Sequence, residues 1–189
     1  MVISGTYLIS NYFYNSSDTH VQEPVHAVAA SIPATANKTS INYSLPTRLQ
    51  IPKIQVDSQV KYVGLTKNGI MDMPANVYDL GWYKHGVLPG NEGTAVIAGH
   101  LDGLRGQPGV FSNLNKLAKG DSIIVIESNG LSVTFVVSEI RHYPENAQPD
   151  EVFNSTSGSH LNLITCAGNW DSTGLSFEQR LVVFADKAP

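Results

Sequence analysis

Leu161-Asn162-Leu163-Ile164-Thr165-Cys166-Ala167-Gly168 is a short apolar run that carries the only cysteine of the protein near its end and closes on a glycine. It is too short for a stable helix, and apolar residues occupy both odd and even positions. That pattern fits a strand covered on both faces better than one with a side in water. Residues 179–185 have the same texture, and a Gly- and Ser-containing loop at residues 167–178 joins the two. Strands of this kind belong in the middle of a closed or covered sheet. The lone thiol has no partner for an internal disulfide, so it either packs, as most unpaired cysteines do, or it reacts.

Working back along the chain, the same β-rich texture begins after Pro46 and is cut by turn signals. Residues 48–51 and 56–63 come first. Residues 65–71 then hold an Asn68-Gly69 pair, which supplies the positive φ angles of a tight turn. Gly81-Trp82-Tyr83 and the apolar run Thr94-Ala95-Val96-Ile97-Ala98-Gly99-His100 are further strands, with a loop at residues 89–93 between them. Residues 122–127 and 131–140 flank Ser128-Asn129-Gly130 and predict a hairpin. The helical candidates are residues 111–117, with Ser112 as a cap, and residues 149–153. Residues 142–159 form a polar loop of about 18 residues, a length that ordinarily signals function or mobility. The sum is an all-β domain, a barrel or sandwich of about eight strands with little helix.

Composition agrees. A chain of 189 residues, 42% hydrophobic and 15% charged, suits one globular domain with a tail. Net charge is −4 with no run of like charges, so the basic stripe that would hold nucleic acid is missing. One cysteine cannot build a thiolate zinc site, and no His pair has the spacing of a zinc helix, so neither a metal nor another cofactor is expected.

Residues 1–13 (MVISGTYLISNYF) are apolar in part but fall short of the roughly 20 apolar residues that a membrane span needs. The first basic residue is Lys38, so the positive start of a secretory signal is missing too. We expect the given chain to begin just outside an upstream membrane anchor. Residues 15–44 are rich in Ser, Thr, Asn, Ala and Pro and read as a spacer, which divides the chain into a spacer at 1–44 and a folded domain at 45–189. Asn15, Asn37, Asn42 and Asn154 open Asn-x-Ser/Thr triplets, which such compositions also generate by chance.

A cysteine at a strand end, just before a Gly-containing loop, is where a rigid scaffold delivers a group to a cleft. Thiols react as thiolates, so a nucleophilic Cys166 needs a neighbouring His or Arg. His160 shares its strand, and six residues at about 3.3 Å each put it roughly 20 Å away. His20 and His26 lie in the spacer, and His85 and His142 at loop edges. His100 ends its own apolar run and mirrors Cys166. Arg180 opens the last strand fourteen residues after Cys166, so two adjacent strands would return it to the thiol. Its fork of permanently protonated donors suits a carbonyl oxygen that gains negative charge.

The order Gly99-His100, Leu163-Ile164-Thr165-Cys166 and Arg180-Leu181-Val182-Val183 resembles the sortase family, whose strand motif reads Thr-Leu-x-Thr-Cys with a His upstream and an Arg downstream. Asn162 stands where the motif usually starts with Thr. Val63-Gly64-Leu65, Met73-Pro74, Gly81-Trp82-Tyr83 and Gly99-His100-Leu101-Asp102-Gly103 are similar to class D, E and F sortases, with class F or E preferred. The resemblance covers about residues 45–186. It implies a closed eight-stranded β-barrel with one or two short helices, and a cell-surface cysteine transpeptidase of mostly Gram-positive bacteria without cofactor. Its partners would be proteins bearing a Leu-Pro-x-Thr-Gly-type sorting signal and an amine acceptor of the cell wall or another protein. It further implies Cys166 as nucleophile, His100 as acid and base, and Arg180 as substrate or oxyanion holder. Residues 142–159 would wall the signal groove, and Thr165, Ala167, Gly168 and Trp170 would touch substrate. The competing reading is a non-catalytic surface barrel with a buried Cys166. Papain-like proteases and L,D-transpeptidases need other settings around the cysteine than Leu-Ile-Thr on a strand.

Overall fold

The computed structural model describes residues 42–103, 105–147, 149–155, 157–172 and 176–189. Most of the expected spacer, including Asn15, Asn37, His20 and His26, and the segment expected to follow an anchor lie outside them. Among the described residues there are eight strands: β1 (Pro46–Ile51), β2 (Val56–Val63), β3 (Leu80–Tyr83), β4 (Gly93–Gly99), β5 (Ser122–Glu127), β6 (Ser132–Pro144), β7 (Ser159–Asp171) and β8 (Ser176–Lys187). They close into a barrel in the order β1-β2-β3-β4-β7-β8-β6-β5. Neighbours run antiparallel except β2 with β3 and β4 with β7, which are parallel. One short helix, α1 (Asp150–Phe153), lies between β6 and β7.

Strand alternation sorts the side chains. Leu161 and Leu163 of β7, Ile97 of β4 and Leu181 and Val183 of β8 point inward and join the barrel core with Phe135. Each such side chain, fully buried, contributes about 1.5–3 kcal/mol. The opposite faces of the same strands are also apolar. Val96, Ala98 and Val182 are at most 3% exposed without belonging to that core. α1 packs over this outer face: Val152 is 1% exposed, and Asn162 Nδ2 of β7 donates to its carbonyl at 2.8 Å. Two covered faces are why the strands of the middle sheet lack a polar side.

Three expectations shift in extent. Residues 111–117 form only a 3₁₀ turn at Leu114–Lys116, and Ser112 does not cap it. The Phe111 N–H is taken by the His100 carbonyl and the Gly109 N–H by the Leu101 carbonyl, both at 2.9 Å, so this backbone pairs across a hairpin instead of coiling. β7 and β8 continue beyond the barrel as a ladder, with Trp170 opposite Phe177, so residues 167–178 are mostly strand. Gly168, which reads as a loop signal, sits at a bulge in that ladder with φ +80°. β6 likewise runs to Pro144, which shortens the long polar loop to residues 145–158. At the amino-terminal side, Ser44 belongs with the barrel: its N–H donates to Glu127 Oε2 at 2.9 Å.

Candidate active site

Cys166 lies on β7 between the two strands that carry its expected partners. On one side Arg180 of β8 is its direct antiparallel neighbour. On the other side β4 runs parallel, with Ala98 opposite Ile164. Two residues further on stand His100, just past the end of β4, and Cys166, so the parallel register brings the two positions to the same end of the sheet. Thr165 tightens this junction, because its hydroxyl donates to the Gly99 carbonyl at 2.8 Å. The three positions lie toward one end of the sheet because β7 has a parallel neighbour on one side and an antiparallel neighbour on the other. His160 stands at the opposite end of β7, bound to Asp186 at 2.7 Å and to the Ser157 carbonyl at 2.6 Å.

His100 is fixed from two sides. Its carbonyl accepts the Phe111 N–H, and its Nε2 lies 2.8 Å from the Pro74 carbonyl. A carbonyl only accepts, so Nε2 carries a proton there and Nδ1 is the nitrogen left to exchange one. Gly109 permits the close approach behind the histidine: a Cβ at that position would lie 2.3 Å from the His100 carbonyl oxygen.

Arg180 is also immobilised. Nη1 donates to the Phe177 and Gln179 carbonyls at 3.0 Å, and Nη2 donates to Glu145 Oε1 at 3.3 Å and Ser176 Oγ at 3.2 Å. Glu145 comes from the segment just after β6 and is anchored there by its own N–H on the Glu178 carbonyl at 2.9 Å. The thiol is half-buried, and burial pushes it above the ordinary cysteine range. The charge of Arg180 pulls it back down, while Asp102 and Glu145 push it up further.

The four expected substrate contacts divide. Thr165 and Ala167 alternate with Cys166 and turn inward, where they are 3% and 9% exposed. Gly168 is exposed, and Trp170 is 54% exposed on the β7–β8 ladder, edge-on to Phe177 at 5.2 Å. The sequence reading missed the Pro74 carbonyl, Asp102 and Glu145. Asp102 had a signal, being two residues past His100, whereas nothing local marks Glu145. Among the described residues no group of three or more His, Cys, Asp and Glu side chains is placed to hold a metal ion. Nor is any helix there long and apolar enough to cross a membrane.

Comparison with known proteins bears on this geometry. The Sortase domain model matches residues 49–188. Among solved structures, the chain is similar to sortase C1 from Streptococcus agalactiae, with 24% identity, a TM-score of 0.59, and 76% of this chain and 67% of that one covered. It is similar to sortase C-1 from Actinomyces oris, with 25% identity, a TM-score of 0.60, and coverage of 76% and 71%. Sortase A from Corynebacterium diphtheriae gives 21% identity, a TM-score of 0.60, and coverage of 78% and 62%. No curated protein sequence matches the chain. At these identities the solved structures speak for the closed barrel alone. The family model goes further, because its match runs through nearly all of the barrel and takes in His100, Cys166 and Arg180. By that match the chain belongs to the sortase family, the cysteine transpeptidases.

Proposed function

We propose that this sortase cleaves a C-terminal sorting signal of the Leu-Pro-x-Thr-Gly type at the Thr carbonyl and passes the acyl part to an amine. The amine belongs to a cell-wall precursor or another protein, and water is the competing acceptor. The observation that carries this reading is the position of Cys166, cross-strand from Arg180 and on the strand that runs parallel to β4, which ends just before His100. The reactive state is a Cys166 thiolate facing a His100 imidazolium. The thiolate attacks the Thr carbonyl carbon, and Arg180 faces the oxygen that gains charge. His100 Nδ1–H then protonates the leaving amine as the C–N bond breaks, which leaves a thioester and a neutral imidazole.

In this reading the enzyme works outside the cytoplasm of a Gram-positive cell, held to the membrane by an anchor upstream of residue 1. The motif pieces around Gly81-Trp82-Tyr83 and Gly99-His100-Leu101-Asp102-Gly103 favour class F or E. The test is incubation with a panel of peptides carrying variant sorting signals plus amine acceptors, followed by mass analysis. Cleavage, ligation and a trapped adduct on Cys166 are expected. Cleavage that persists in Cys166→Ala would reject the mechanism and leave the barrel a binding domain with an inert thiol.

A further inference from the structure

Among the described residues the charges of Arg180, Asp102 and Glu145 act on the Cys166 thiol, one cation against two carboxylates. Glu145 is paired, since Arg180 Nη2 binds it at 3.3 Å. Asp102 has no hydrogen-bond or ion-pair partner among the described residues, although it is half-buried. Its place is fixed all the same. His100 and Asp102 lie on one arm of a hairpin whose rungs are Phe111 N–H to the His100 carbonyl and Gly109 N–H to the Leu101 carbonyl, both 2.9 Å. An Asp102–Pro108 bridge and the Gly103 N–H on the Gln107 carbonyl, also 2.9 Å, complete it. The hairpin backbone therefore places an acidic residue two positions past the acid–base histidine, and among the described residues no counter-ion is paired with it. A half-buried carboxylate with no partner among the described residues is free to receive a cation that a reactant brings.

The transpeptidation reading supplies such a reactant. Primary amines of lysine side chains and chain ends titrate near pH 10.4 and near pH 8, so an acceptor arrives largely as an ammonium ion. We propose that Asp102 is the acceptor-binding residue, which receives the ammonium group of the incoming amine next to His100 and makes the second half-reaction selective for cationic nucleophiles. The inference rests on the transpeptidation reading. In that step the ammonium gives one proton to solvent and one to neutral His100. Its nitrogen forms the new amide bond to the acyl carbon, the C–S bond breaks, and the Cys166 thiolate and His100 imidazolium are restored. Asp102 acts with opposite sign in the two halves. Beside a thiolate its charge is repulsive and opposes acylation. Once Cys166 is a neutral thioester, only the attraction for the ammonium remains.

The test compares the wild type with Asp102→Asn and Asp102→Glu, using one sorting-signal peptide and two nucleophiles. Glycinamide is mostly cationic at about pH 7, whereas hydroxylamine is mostly neutral there. Asp102→Asn is expected to raise the KM for glycinamide roughly tenfold, the scale of a lost charge-assisted hydrogen bond. The rate with hydroxylamine should stay within about twofold, thioester formation should hold or quicken, and Asp102→Glu should recover part of the glycinamide KM. An equal response to both nucleophiles, or none to either, overturns the assignment. If the wild type forms no thioester on Cys166 with any peptide, the transpeptidation reading fails first and takes this inference with it.

Discussion

Burial raises the Cys166 thiol and Arg180 draws it back, so the residue scale turns on how often the thiolate exists. A raised thiol is protonated below its folded value and becomes reactive only as pH climbs through it. Alkylation of Cys166 by iodoacetamide should therefore increase with pH, with a midpoint above the ~8.5 of an ordinary cysteine. Arg180→Ala should move that midpoint further up, because a nearby positive charge is lost, and Glu145→Gln should move it down, because a negative one is. A midpoint below the ordinary value, or the opposite order of the two variants, would contradict this electrostatic picture. Much at this scale was legible from order alone: His100 and Cys166 each close an apolar run, and Arg180 opens one. Thr165 and Ala167 were expected to touch substrate but turn inward, as neighbours of an outward-facing strand residue must. The guanidinium's partner was not legible. Glu145 lies 35 positions from Arg180, and nothing in its own neighbourhood marks it.

At the scale of elements, the segment from residue 145 to 158 depends on β7. Asn162 departs from the family's usual Thr, and its Nδ2 donates to the Val152 carbonyl at 2.8 Å, which clasps α1 to the sheet. Both residues are 1% exposed. Asn162→Ala leaves that carbonyl without a donor and should cost about 1–3 kcal/mol in thermal or denaturant unfolding. Amide exchange should speed up at residues 150–154, while the alkylation profile of Cys166 stays put. Unchanged exchange there would mean that α1 is held by apolar packing alone. The loops were harder to read than the strands. Glycine and serine after Cys166 signal a break, yet cross-strand pairs such as Trp170 with Phe177 carry the ladder past it.

For the whole molecule, the barrel closes where β1 meets β5, and the residues just before β1 finish that seam. Glu127 is 2% exposed, and Ser44 gives it an N–H at 2.9 Å and a hydroxyl at 3.3 Å. Tyr43 packs on Gly90 and Lys187. A chain beginning at residue 42 keeps Tyr43 and Ser44 and serves as the reference. One beginning at residue 46 leaves the Glu127 carboxylate short of donors and should lose about 1–3 kcal/mol, several degrees of Tm for a domain of this size. Equal melting of the two would assign the seam's stability elsewhere. By itself the sequence determined the strands, most turns, the nucleophile candidate and the two residues aimed at it, because periodicity, turn chemistry and strand ends are local properties. Which strands are neighbours, that Asn162 clasps a helix, that the Pro74 carbonyl binds His100 Nε2, and that Asp102 is without a partner among the described residues were decided only in the closed barrel. Those facts depend on contacts between distant residues, and barrel closure is what sets their distances and charges.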